Sequence, residues 1–121
     1  LGGLYARYVI GKLFDPSTGL FCGRLKPLSF VTLSSPHIGV RNLLPAPVTL
    51  AARYFVGRTG RQLLLEDGDE TEPLISRMVS DAELPFLSAL ESFKQRILYA
   101  SAAYDVQVPY PTAAISPYYC Q

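Results

Sequence analysis

The sequence predicts an α/β domain built on parallel strands, with too few strands to stand alone. Three observations lead there. Two short, apolar runs read as strands: Leu28–Leu33 (LSFVTL), buried on both faces, and Ile97–Ala103 (ILYASAA), a second buried strand. Helical spacing fills the segments before and between them, and strands separated by helices pair in parallel through right-handed crossovers. Two strands do not make an independent parallel sheet, which needs several neighbours and cover on both faces. The charge content agrees with an interior piece of a larger fold: 17% of the 121 residues are charged, against about 25% in a typical domain.

Gly2–Phe14 opens with two glycines and turns helical. Leu1, Leu4/Tyr5, Tyr8/Val9 and Leu13 recur at helical spacing, with Arg7 and Lys12 on another face. Asp15-Pro16-Ser17-Thr18-Gly19 stops that helix, because a residue before proline resists the α region and the cluster has turn chemistry. Leu20–Lys26 is a short connection without a clear pattern. The first strand ends in the polar loop Ser34-Ser35-Pro36-His37-Ile38-Gly39. Pro47 suits a helix start, and Val48–Val56 gives two amphipathic turns. Gly57–Gly60 punctuates, Arg61–Leu65 forms one helical turn, and Glu66–Glu72 is an acidic surface loop. Leu74–Val79 and Leu84–Gln95 are further helices, with Pro73 and Pro85 near their starts. Asp105 follows the second strand, and the Pro- and Tyr-rich tail Val106–Gln121 has little pattern.

Composition excludes several function classes. The net charge is +1, from 11 basic and 10 acidic residues, and the cations are scattered, so no nucleic-acid footprint is expected. The tail lacks charge but contains three prolines and is too short for a membrane span. Two cysteines, Cys22 and Cys120, make neither a disulfide framework nor a zinc site and read as free thiols. Leu1–Tyr8 has neither the basic region nor the cleavage site of a signal peptide.

Few residues carry chemistry. His37 is the only histidine, and it stands at the carboxyl end of a strand, where open α/β sheets bind ligands. Its plainer role is to hydrogen-bond and orient the loop. Ser35 is too near along the strand end to make an in-line dyad with it. Asp105 ends the other strand, where an acid can orient an imidazole or simply initiate a turn. Gly57-Arg58-Thr59-Gly60-Arg61 lacks phosphate-loop spacing, and Asp67, Asp69 and Glu70 lack the ligand spacing of a calcium loop. A nucleotide-binding domain is therefore disfavoured, and no metal or cofactor is expected.

Taken in order, the motifs resemble the lipase-like serine esterase family of the α/β-hydrolase superfamily. That family's nucleophile motif reads Gly-His-Ser-Leu-Gly-Gly-Leu-x-x-Arg-Tyr, and this chain begins LGGLYARYVIG (Leu1–Gly11). The blocks FVTLSSPHIGVR (Phe30–Arg41), GRTGRQLLLEDG (Gly57–Gly68), PLISRMVSD (Pro73–Asp81) and FLSALESFKQRILYASAAYDVQVPYPTAAI (Phe86–Ile115) are similar to family blocks in the same order. The resemblance implies that residues 1–121 are the central portion of one α/β-hydrolase domain, with a helical insertion at about 42–95 over the site. It implies that the Leu1 backbone N–H is an oxyanion-hole donor. Gly2 and Gly3 permit the strand-to-helix elbow, Asp105 is the triad acid, and His37 supports the site without being the base. In this superfamily the triad runs Ser, acid, His along the chain, so the nucleophile would precede Leu1 and the base would follow Gln121.

The implied activity is serine-dependent hydrolysis of carboxylic, lipid-type esters by the full-length protein, with this piece inactive alone. The implied partner is an acyl-ester substrate, with room for peripheral membrane contact and an intracellular, cytoplasmic or membrane-associated location. The competing reading is a hydrolase-like module that has lost its serine and serves in interaction.

Overall fold

The computed structural model describes residues 1–55, 57–68 and 72–116, with the backbone alone described for 51–55. Helix α1 (Gly2–Leu13) leads into a hairpin of β1 (Phe14–Asp15) and β2 (Leu20–Phe21). The Asp15 carboxylate builds the turn, accepting from the Ser17 amide at 2.9 Å and the Thr18 hydroxyl at 3.0 Å. The sequence left Leu20–Lys26 without a pattern. The hairpin forms there because Asp15 bonds its own turn and Phe14 stacks on Phe21, ring centroids 5.3 Å apart.

Strand β3 (Ser29–Leu33) follows, and then α2 (Ala46–Phe55) and α3 (Gly57–Leu63). Gly57–Gly60, read as punctuation, is the first turn of α3, with Gly57 taking a positive φ of 58° where α2 gives way to it. Val56, the expected end of the preceding helix, lies outside the described residues.

Helix α4 (Leu74–Arg77) is a single turn whose first amide donates to Asp67 Oδ2 at 3.2 Å. Helix α5 (Phe86–Glu91) is shorter than the periodicity of Leu84–Gln95 suggested. It is capped from the preceding loop, since Asp81 accepts from the Leu87 and Ser88 amides at 2.6 and 3.1 Å. Strand β4 (Gln95–Tyr99) and a short α6 (Tyr110–Ala114) complete the described order. Helix α6 falls in the tail that showed no pattern. Pro109 and Pro111 start it, and Ile115 ends it in the left-handed region at φ 51°.

β3 and β4 pair in parallel, from Ser29 opposite Gln95 to Leu33 opposite Tyr99. The predicted parallel crossover is present, and the chain is a mixed α/β structure with a small parallel sheet. Burial on both faces is not. Phe30 and Thr32 face the covered side, where Phe30 meets Phe93 with ring centroids 5.5 Å apart. On the other side Val31, Leu33, Ile97 and Tyr99 are 50, 71, 38 and 58% exposed. The residue types suit a sheet covered twice, while these side chains of the described pair are left open.

α1 also corrects part of an expectation. Of its apolar positions Leu1, Tyr5, Val9 and Leu13 are exposed and Leu4 and Tyr8 half-buried, while the fully buried stripe is Gly3, Arg7 and Gly11. Two glycines one turn either side of Arg7 let the backbone approach its neighbours. A Cβ on Gly11 would enter the ring of Phe86, which is itself buried.

Candidate functional site

The site gathers at the carboxyl ends of the two parallel strands, where ligands bind in open α/β sheets. The Ser34 amide donates to the Tyr99 carbonyl oxygen at 2.8 Å, so the pairing runs to the last residue before the loop. Ser34 itself has φ 40°, and the chain turns sharply away into Ser35–Val40.

α1 docks on this loop by its first turn. A Cβ on Gly3 would stand 2.7 Å from Ser35 Cβ and 3.0 Å from Thr32 Cγ2, closer than side chains tolerate. Gly3 is thus required by close approach. Gly2 has nothing within 4 Å of an added Cβ, so no packing contact requires a glycine there. Leu1 stands at the N-terminal boundary of α1, and its carbonyl oxygen accepts from the Leu4 and Tyr5 amides at 3.0 and 3.2 Å.

His37 is buried inside the loop. Its Nε2 lies 2.9 Å from Thr32 Oγ1, and its amide donates to the Ser35 and Thr112 carbonyl oxygens at 2.8 and 3.1 Å. Its carbonyl oxygen accepts from Arg7 Nη1 at 2.8 Å. Its Nδ1 is buried without a hydrogen-bond partner among the described residues. Burial first, and then the Arg7 guanidinium, hold its pKa down at about 4. The ring is neutral at ordinary pH and positions the loop. Among the described residues there is no Ser35–His37 hydrogen bond; the Ser35 hydroxyl points to the Leu33 carbonyl oxygen at 3.4 Å.

Two residues that sequence reasoning did not single out hold this loop in place. Arg7 Nη2 also donates to the Met78 carbonyl oxygen at 3.1 Å, so one buried guanidinium joins α1, the His37 loop and the end of α4. Desolvation lowers the Arg7 pKa. The signal was available: Arg7 lies four residues from each of two glycines, a spacing that marks a helix face pressed against other backbone. Thr112, fully buried on α6, accepts from the Ile38 amide through its hydroxyl at 3.3 Å. No local pattern marks it.

Asp105 is half-buried in the segment after β4. Its Oδ1 accepts from the Gln107 and Val108 amides at 3.1 and 2.9 Å, the geometry of a turn-initiating aspartate. That leaves Oδ2 without a hydrogen bond among the described residues. Asp69 and Glu70 of the acidic loop lie outside the described residues, as does Cys120, and Cys22 is an exposed free thiol. Among the described residues no group of three or more His, Cys, Asp or Glu side chains could hold a metal ion. None of the described helices is long and apolar enough to cross a membrane.

A cleft of about 1060 Å³ opens beside this site, between α1 and the α3–α4 segment. Leu1 lines it, so it begins at the N-terminal end of α1, and Tyr5, Tyr8 and Lys12 continue its wall along the helix.

Comparison with known families decides what this arrangement belongs to. Residues 1–120 match the family described as "Putative serine esterase (DUF676)". The chain belongs to this serine esterase family. The relatives it matches are named as lipases. The fission yeast Schizosaccharomyces pombe protein "Putative lipase C4A8.10" is 35% identical over 119 residues, covering 95% of this chain and 15% of the relative. The Saccharomyces cerevisiae protein "Putative lipase ROG1" is 32% identical over 116 residues, covering 95% of this chain and 16% of the relative. A second S. cerevisiae protein, "Putative lipase YDR444W", is 36% identical over 139 residues, covering 95% and 19%. The chain thus spans less than a fifth of the length of these relatives. No solved structure gives a significant match.

Proposed function

We propose that residues 1–121 form the central portion of an α/β-hydrolase catalytic domain that hydrolyses carboxylic esters of the lipid type. The observation that carries this reading is the docking of α1. Gly3 seats the helix against the carboxyl end of β3. That docking supports a position ahead of Leu1 near the strand ends, where the serine of the family's Gly-His-Ser-Leu-Gly-Gly motif would stand. Asp105 follows the neighbouring parallel strand, which favours it as the acid.

In this reading the full-length protein supplies the nucleophilic serine before Leu1 and the histidine beyond Gln121. The histidine takes the serine proton as the hydroxyl oxygen attacks the ester carbonyl, and Asp105 holds the imidazole tautomer and stabilises its charged form. The Leu1 N–H, at the positive end of α1, donates to the oxyanion; removing one such donor costs about 2.7–4 kcal/mol of transition-state stabilisation. Gly2 and Gly3 serve the elbow. His37, neutral and bonded on several sides, keeps the loop beneath the oxyanion in shape. The segment at about 42–95 covers the site as an acyl-binding surface. Peripheral membrane contact in the cytoplasm would bring such a site to its substrate.

The test is Asp105→Asn in the full-length protein. Asparagine Oδ1 still accepts from Gln107 and Val108, so the turn survives while the carboxylate is lost. Turnover of a short-chain ester is expected to fall by roughly four orders of magnitude with the thermal midpoint unchanged. Undiminished turnover would leave Asp105 as a turn residue. Absence of turnover in the parent protein would favour the interaction module instead.

A further inference from the structure

We propose that the cleft between α1 and α3–α4 takes a single-chain amphiphile whose head group is anionic. The inference rests on the esterase reading for the reaction but on the cleft's own lining for the ligand. Among the described residues four cationic side chains, Lys12, Arg58, Arg61 and Arg77, line it, with one carboxylate, Asp67. Arg77 is paired with Glu83, whereas Lys12 and Arg58 are exposed. An excess of one sign along a cleft raises the local concentration of counter-charged ligand.

The lining is also graded. Along α1 it passes from Leu4 through Tyr5 and Tyr8 to Lys12, a rise of about 12 Å at helical spacing. Leu74, Ile75, Met78 and Leu84 supply apolar wall opposite. An alkyl chain of that length would run along this wall toward Lys12, whose Nζ sits 5.7 Å from the Tyr8 ring centroid. Arg77 lines the cleft as a cation already paired with Glu83, and its Nε is buried. Lys12 and Arg58 are exposed cations that line the same cleft.

The experiment is isothermal titration of the full-length protein with two non-hydrolysable probes below their micelle concentrations, monododecyl phosphate and uncharged 1-O-dodecylglycerol. The phosphate is expected to bind at least tenfold more tightly, with that preference collapsing in Lys12→Gln/Arg58→Gln, two exposed positions whose exchange leaves the fold intact. Inorganic phosphate at the same concentration is expected not to compete. Equal affinities, a preference that survives the double variant, or full displacement by inorganic phosphate would each overturn the proposal. Because neither probe is an ester, equal affinities in the parent protein with ester turnover intact overturn this inference alone. A retained preference without turnover overturns the esterase reading alone.

Discussion

The Arg7 guanidinium and the His37 carbonyl oxygen, 2.8 Å apart, join the helix that opens the chain to the loop that ends β3. The same side chain reaches the Met78 carbonyl oxygen 71 residues along the sequence. Three distant segments therefore meet on one buried cation. Arginine suits this role because its planar fork serves two acceptors at once, which a lysine ammonium does not do at fixed geometry.

Replacing Arg7 by methionine keeps the stem and strands both carbonyl oxygens. Each buried acceptor left unpaired costs about 1–3 kcal/mol. Chemical denaturation is expected to show a loss of that order, and Arg7→Lys is expected to recover less than half of it. Full stability in the lysine variant would mean that the fork is not what matters.

Gly3→Ala places a methyl group against Ser35 and Thr32. Helix propensity favours alanine by about 0.8–1 kcal/mol, but overpacking costs about 1–3 kcal/mol. The net expectation is a lower thermal midpoint, with partial recovery in Gly3→Ala/Ser35→Gly. A midpoint raised by the single change would show that the loop yields freely.

His37 gives the stability a pH dependence. Burial and Arg7 lower its pKa from 6.5 to about 4 in the folded protein. Between those values the unfolded chain binds the extra proton. The His37 contribution is therefore fully present above pH 6.5 and is lost as pH falls toward 4, by about 3 kcal/mol in all. Denaturation midpoints measured across that window should show the slope, and His37→Gln should remove most of it. An unchanged slope in the variant would assign it to other groups.

The uncovered sheet face makes a further expectation. Val31, Leu33, Ile97 and Tyr99 form a contiguous exposed apolar surface, and such patches drive association. The 121-residue chain alone is expected to self-associate in sedimentation velocity, and Leu33→Thr/Tyr99→Thr to shift it toward monomer. Association unaffected by the pair would place the contact elsewhere.

Much of the frame was legible because it is local. The glycines and Asp15-Pro16 bound α1, LSFVTL carries β3, and the polar run from Ser34 marks the turn away from the sheet. What was not legible depends on partners distant in sequence. Residue type suggested a stripe of Leu1, Leu4/Tyr5, Tyr8/Val9 and Leu13, of which only Leu4 and Tyr8 are half-buried, because glycine at positions 3 and 11 allows closer backbone contact on another face. Thr112 meets Ile38 across 74 residues, and no periodicity reports that. The second strand was legible as a strand, but it lies at Gln95–Tyr99 and not Ile97–Ala103, and its burial was misjudged, because its composition describes a sheet with more neighbours than β3 alone.

The in-register pairing of Leu33 with Tyr99 has a bearing on which length changes this architecture survives. Both the His37 loop and the Asp105 segment are measured from that last rung. Inserting or deleting one residue within either strand would move one segment past the other by about 3.3 Å and turn every following side chain to the opposite face. Between the strands no rung fixes the count, and the loops within residues 42–94 can grow or shrink while both strand ends stay level. Drift in length among relatives should therefore collect in that stretch, leaving the spacings from Phe30 to His37 and from Ile97 to Asp105 constant.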